Sequence, residues 1–331
     1  MNPMIIPTVI TYNRRTRSLS TPNFYYLLWA RLIQGSHRVM APFNYLGISR
    51  IHHLLNTLFR PQSETHITED GATFSFPSND YYWNRLLDGR FEYEPELDTF
   101  MKHMAQVPFT FVDLGANFGF WPNKVAAEVY GAHQAIAVEA SDYCFAILQK
   151  NAANSRHLTT LHHRAIDEVT RCELMLYGNR HAGCSIDANW CGAAGSAANK
   201  ITTITIDDVL RDARVDVATT PTIIKPNVEG VELRALKGAH ETIRGQSLFY
   251  IEDANKGEIA DSNRYAADDM GMQFFLWEDG QMKPITYQNE IAAHKRRQNK
   301  FQGVGYKFFA TASDFWIAQF TGAHITATKA A

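Results

Sequence analysis

Asp113, Gly115, Gly119 and Glu139 are the residues whose types and spacing point most directly to chemistry. Asp113 lies near the end of an apolar, aromatic and β-branched run, Phe109 to Leu114, which predicts a buried parallel strand. Open α/β sheets bind ligands beyond the carboxyl ends of their strands, so an acid at that end faces a ligand. Gly115 and Gly119 let the chain turn sharply and approach a ligand with no Cβ in between. Glu139 ends a second short run, Gln134 to Glu139, and is placed to accept hydrogen bonds from a ribose diol.

The spacing argues against a dinucleotide. A G-x-G-x-x-G fingerprint beginning at Gly115 needs glycines where Asn117 and Phe120 stand, which disfavours a nicotinamide-dependent oxidoreductase. A carboxylate two residues before the first glycine repels a pyrophosphate but suits a cation. S-adenosylmethionine meets that requirement, with a sulfonium, an ammonium and a ribose but no phosphate. The bland alternative is an ordinary α/β turn with an incidental acid.

The elements that must position these residues follow a βαβ rhythm from Pro108 onward, the pattern of a parallel sheet. Helices are expected from about Pro122 to Tyr130 and from Asp142 to Asn151, the latter capped by Ser141 or Asp142. A third strand, Leu158 to Ala165, ends near Asp167. Extra strands at Cys172–Tyr177 and Ile201–Ile206 flank a Gly-, Ala-, Ser- and Asn-rich loop, Gly178 to Asn199, our candidate acceptor lid. Thr222 to Lys225 reads as a strand leading through Pro-Asn-Val-Glu-Gly230 into a helix from Val231 to Ile243. Ser247 to Glu252 is another acid-ended strand, and Gln273–Trp277 with Gly305–Ala310 could close the sheet as an antiparallel pair.

The chain of 331 residues, 45% of them hydrophobic, can bury a full core. It has neither an apolar run long enough for a membrane span nor a signal-peptide pattern, and its four cysteines form no CxxC pair. These features lead us to expect a cytoplasmic protein. His181, Cys184 and Cys191 match no standard zinc spacing, so no metal is expected. Net charge is −2, yet residues 1–60 hold seven arginines and no acid, with Phe24, Tyr25, Tyr26 and Trp29 among them. That leader reads as an N-terminal cap with basic residues outward, as a transit-like segment, or as a contact for an anionic partner or membrane surface. Nothing in the sequence points to nucleic acid, and the oligomeric state is open.

Val112-Asp-Leu-Gly-Ala-Asn-Phe-Gly119 with Ala137-Val-Glu139 resembles the class I methyltransferases that use S-adenosylmethionine. Ile224-Lys-Pro-Asn-Val-Glu-Gly-Val-Glu232, followed by Leu236-Lys-Gly238 and preceded by Thr205-Ile-Asp-Asp-Val-Leu210, narrows the resemblance to the FkbM type, over roughly residues 70 to 312. The resemblance implies a Rossmann-like, seven-stranded, mostly parallel sheet with helices on both faces. A methyltransferase domain over 71–331 would then follow a helical extension over 1–70. It also implies methyl transfer to a hydroxyl of a small molecule or glycan. By position, Asp113, Gly115, Asn117 and Gly119 would line the methionine part of the cofactor, with Asn227 nearby, Glu139 the ribose and Asp167 the adenine amine. The chain departs from the family at Asn227, where an acid is usual, and at Pro226, where an apolar residue is common.

A hydroxyl acceptor must lose a proton, and Lys225, Glu229, Glu252 and His181 are the candidate groups. His181 has the most suitable ordinary pKa. Lys225 is expected to pair with Glu229 or Glu252 if its role is structural, and Glu232 to be an exposed or helix-start charge. A rival reading keeps the fold as a binding module in which the Pro226 and Asn227 changes have removed turnover.

Overall fold

The structure, a computed structural model, describes residues 8–43, 45–155, 157–178, 184–189, 197–252, 257–286 and 307–321. His181, Cys191 and most of the expected lid lie outside them. The chain forms two compact units that meet in sequence at Pro95 and Glu96.

The N-terminal unit is built from β1 (Thr8–Asn13), β2 (Ser18–Ser20), α1 (Phe24–Met40), α2 (Ile48–Phe59), β3 (Ser63–Glu69) and β4 (Ala72–Pro77). The strands form one sheet in the order β2-β1-β3-β4, with β1 parallel to β3. Asn23 starts α1 by accepting the Tyr25 N–H, and Trp29, Ala30 and Ile33 form its buried face. Asp70 and Gly71, both left-handed, close the β3–β4 hairpin. The boundary expected at residue 70 therefore falls inside a hairpin, and the helical extension is instead a mixed α/β unit. Arg14 ties this unit together from a buried position. It donates to the carbonyls of Leu86 (2.6 Å), Asp88 (3.0 Å) and Phe91, and pairs with Glu69 at 2.8 Å.

The second unit begins with α3 (Pro95–His103) and continues through β5 (Thr110–Leu114), α4 (Phe120–Val125), β6 (Gln134–Glu139), α5 (Asp142–Ala152), β7 (Leu158–His163), β8 (Ala165–Ile166), β9 (Glu173–Tyr177) and β10 (Ala197–Ile204). Then come α6 (Ile206–Asp212), β11 (Thr222–Pro226), α7 (Glu232–Lys237), α8 (His240–Arg244), β12 (Ser247–Glu252), α9 (Gly257–Arg264), β13 (Gln273–Glu278), β14 (Gln281–Ile285), β15 (Lys307–Thr311) and α10 (Asp314–Thr321). The main sheet has eight strands, in the order β14-β13-β15-β12-β11-β5-β6-β7. Its five strands from β12 to β7 are parallel, and β15, β13 and β14 add an antiparallel edge. The antiparallel pairing of β13 with β15 agrees with expectation, and the β14 hairpin makes eight strands where seven were expected.

Alternation along the strands splits the sheet into two faces. Val112, Leu114, Ile136, Val138, Ile224, Phe249 and Ile251 pack on α6, α7 and α8 through Ile206, Leu210, Leu236 and Ile243. On the other face Phe100 of α3 meets Phe309 at 4.4 Å, and Phe320 of α10 meets Phe275 at 5.0 Å. Asp113 and Lys225, and by the same alternation Glu139 and Glu252, lie on this second face at the carboxyl ends of their strands.

Three elements are shorter than expected. The helix after β5 stops at Val125, and a separate 3₁₀ turn follows at Glu128–Tyr130. The helix after β11 breaks into α7 and α8 at Gly238, where a Cβ would stand 2.6 Å from the Asp167 carbonyl oxygen. The third strand divides between β7 and β8, and β8 belongs to a second small sheet, β8-β10-β9.

Arg14 makes a direct prediction for the N-terminal unit. Arg14→Ala leaves Glu69 and the three carbonyls without their shared donor and should cost on the order of 3–5 kcal/mol in denaturant unfolding. Arg15→Ala, at an exposed neighbour, should stay within about 0.5 kcal/mol.

Candidate functional site

The site is built from the ends of β5, β6 and β11. After β5 the chain turns through Gly115 at φ +79 and Asn117 at φ +52. Asparagine is one of the few side chains that enter this region without a large penalty. Here it satisfies its own turn, since Asn117 Oδ1 accepts the Phe118 N–H at 2.9 Å. The same twist aims the Asn117 N–H at Glu139 Oε2, 2.8 Å away. The other Glu139 oxygen, Oε1, accepts the Ser141 N–H at 2.8 Å, while the Ser141 hydroxyl caps α5. The backbone amides of Asn117, Ala140 and Ser141 thus fix a buried carboxylate at the end of β6. Burial pushes Glu139 up to about 7, against the pull of those amides.

The glycines serve packing as well as turning. A Cβ on Gly115 would stand 2.0 Å from the Asn227 carbonyl oxygen, and the Asn227 N–H donates to the Leu114 carbonyl at 2.8 Å. What Gly115 admits is therefore the backbone that follows β11. Gly119, at φ +85, leaves room for Leu148 of α5, which a Cβ would meet at 2.5 Å. Asn227 acts here through main-chain atoms, which any residue supplies, so the departure from an acid leaves this junction intact. Pro226 is the last residue of its strand, where a missing N–H only ends the pairing.

Register places Lys225 beside Asp113, and its ammonium pairs with Asp113 Oδ1 at 3.5 Å. Both side chains are about 3% exposed. The structural partner of Lys225 is thus Asp113, in place of Glu229 or Glu252. This neutralises much of the charge that Asp113 would offer a cationic ligand.

Beyond β11 the chain passes through two left-handed residues, Glu229 and Gly230, into α7. This turn carries Glu232 inward. Glu232 starts α7, as one expectation had it, but at 7% exposure it is not the exposed charge of the other. Its Oε1 accepts the Gly230 N–H at 3.2 Å, and its Oε2 is buried with no hydrogen-bond partner. Burial, with the Glu252 and Glu229 charges, pushes Glu232 up to about 7. Glu229, Glu232 and Glu252 thus form an acidic corner beside the turn.

Asp167 follows a different path. It follows β8 directly, receives Arg234 of α7 in an ion pair, and accepts the Glu168 N–H at 2.7 Å. Its contacts hold α7 in place. Of the sequence-derived candidates, the structure thus joins Asp113 to Lys225, Gly115 to Asn227 and Asn117 to Glu139, sets Glu229 and Glu252 near Glu232, and engages Asp167 with α7. Among the described residues, no group of three or more His, Cys, Asp or Glu side chains could hold a metal ion. The sequence marked Ser141 only as a helix cap and Glu232 only as a charge near a helix start, and neither as a site residue. The second glutamate of Glu-Gly-Val-Glu232 was readable, but its inward direction depends on the Glu229–Gly230 backbone.

The α/β sheet thus carries an acid-lined turn at the carboxyl ends of its central strands. Residues 113–265, a little under half of the chain, match the family described as the Methyltransferase FkbM domain. The resemblance carried by the sequence motifs is thereby shown for this segment, which runs from Asp113 past Glu232 and Glu252 to Tyr265. No curated protein matches the chain. Among solved structures it is similar to the methyltransferase FkbM of Methylobacillus flagellatus KT, at 16% identity and a TM-score of 0.38, covering 62% of this chain and 43% of that one. A candidate methyltransferase from Thermobifida fusca YX is similar at 13% identity and a TM-score of 0.33, covering 65% of this chain and 79% of that one. The chain therefore spans less than half of the first structure's length.

Two outcomes follow from this geometry. Gly115→Ala forces a Cβ onto a main-chain oxygen at a left-handed residue and should cost at least about 2 kcal/mol in denaturant unfolding. Glu139 and Glu232 hold protons in the fold up to about pH 7, whereas an unfolded glutamate releases its proton near 4.5. Their favourable contribution is complete below the unfolded value and is lost as pH rises toward 7. The buried His37, His52 and His133, with lowered pKa values, titrate in the opposite sense, so the comparison needs a variant. Glu232→Gln should gain stability over wild type by up to about 3 kcal/mol between about pH 5 and pH 8, read from unfolding curves at each pH.

Proposed function

We propose that the second unit transfers a methyl group from S-adenosylmethionine to a hydroxyl oxygen of a sugar-containing or secondary-metabolite acceptor. The single observation that carries the cofactor reading is Glu139, a buried carboxylate oriented by the Asn117 and Ser141 amides at the end of β6. Such a group accepts from both hydroxyls of a ribose diol and would repel a pyrophosphate. The acidic corner of Glu229, Glu232 and Glu252 suits a cationic ligand, and the residues present fit the cofactor in both respects. The match of residues 113–265 to a methyltransferase family supports the same reaction class.

In this reading Glu139 holds the ribose, and the Asp113–Gly119 turn with Asn227 lines the methionine end. Bound there, the cofactor supplies an electrophilic methyl group. The chain's own residues orient the acceptor oxygen and take its proton, and correct orientation alone can supply effective molarities of roughly 10⁵ M or more. Glu232 is the residue best suited to receive the proton. Its Oε2 is unpartnered, and a group titrating at about 7 is half ready as a base at neutral pH. Glu252 and Glu229 keep that affinity for a proton high by repulsion. Lys225, held by Asp113, acts as a positioning residue that fixes the ends of β5 and β11.

The test is methyl transfer from isotopically labelled cofactor to hydroxyl-bearing glycans and small molecules. Glu232→Gln keeps the Gly230 hydrogen bond and should lower kcat by about 10²-fold or more with little change in the KM for cofactor. Full activity in that variant removes the base assignment. Cofactor binding without transfer to any acceptor favours the binding-module reading.

A further inference from the structure

The N-terminal unit carries an apolar surface of a definite kind. Phe24, Leu28, Leu32 and Val39 recur along α1 at spacings of four, four and seven residues, which places them within an arc of about 80°. All four are exposed, Phe24 by 78%. The buried face of α1, through Trp29, Ile33 and His37, is a different one. Arg31 and Arg38 border the exposed stripe on one side, so it has a charged edge. On α2 the arrangement repeats. Leu54 and Leu58 are exposed next to Arg50, opposite the buried Ile48 and His52. Leu46, in the turn between the helices, is 81% exposed.

The charge that residues 1–60 contribute has one sign. Six of the seven arginines before residue 61 are exposed, Arg14 being the buried exception, and no acid precedes Glu64. Exposed apolar side chains bordered by arginine, on helices too short and too charged to cross a bilayer, suit a surface that is apolar inside and anionic at its rim. A second copy of the chain is a poorer occupant. Self-association through this face would oppose arginine to arginine with no acid from this stretch to compensate.

We propose that the exposed apolar and arginine side chains of α1 and α2 dock on an anionic lipid surface. The apolar stripe enters the boundary between headgroups and acyl chains, and Arg31, Arg38 and Arg50 meet the lipid phosphates and carboxylates. The docking lies in the membrane plane. None of the helices among the described residues is long and apolar enough to cross a membrane.

The experiment is co-sedimentation of the full chain with phosphatidylcholine vesicles, with and without roughly 30% phosphatidylserine. Binding is expected to the anionic vesicles alone and should weaken as salt rises from about 0.1 to 0.5 M. The triple variant Arg31→Gln, Arg38→Gln, Arg50→Gln should lose at least about tenfold in vesicle affinity. Leu28→Ser, Leu32→Ser, Val39→Ser should also weaken it, through the other half of the contact. All six positions are exposed, and an unchanged circular dichroism melt confirms that each variant is folded. Equal binding to neutral vesicles, or anionic binding that neither variant weakens, overturns the proposal. So does a dimer that the apolar variant disperses while vesicles capture no protein.

Discussion

The carbonyl oxygen of Asn227 lies where a side chain on Gly115 would begin, and the rest of the site depends on that contact. Two parallel strands can lie side by side without their outgoing turns touching. Here the turns are locked together, because the Asn227 N–H also donates to the Leu114 carbonyl. The lock continues the β5–β11 ladder one residue beyond Pro226 and holds Lys225 alongside Asp113. It also fixes the starting point of the Glu229–Gly230 turn, whose left-handed pair delivers Glu232 into the interior. One steric demand at one glycine therefore organises the turn after β5 and the acidic corner after β11.

That arrangement divides the carboxylates by role. Asp113 is matched by Lys225, and Asp167 by Arg234. Glu139 and Glu232 receive only neutral backbone donors, and burial raises both to about 7. Buried acids that receive hydrogen bonds from amides alone carry an electrostatic cost in the fold and are poised to accept a cation or a proton. The site thus separates acids that hold the architecture from acids that remain available for chemistry.

Much of the fold could be read from the chain, because buried parallel strands are continuous apolar runs and their boundaries are marked by glycine, proline and acids. The strand to Leu114, the strand to Glu139, the Ser141 cap and the antiparallel closing pair all follow from such local signals. What escaped depends on three-dimensional register. Asp113 and Lys225 each stand two residues before their turn, which pairs them only once β5 and β11 are known to be neighbours. The break at Gly238 depends on the approach of the Asp167 carbonyl from another sheet. The Asp70–Gly71 hairpin carried a strong local signal. It ties residues on both sides of the expected boundary into one unit, so composition alone placed that boundary wrongly.

Calorimetric titration of the full chain with S-adenosylhomocysteine at about pH 8, where Glu139 is ionised, measures whether Glu139 holds the ribose of the cofactor. One binding event is expected, weakened at least about tenfold by Glu139→Ala because the ribose diol loses a charged acceptor. Absence of binding by the folded wild type, or equal affinity in the variant, would contradict that assignment.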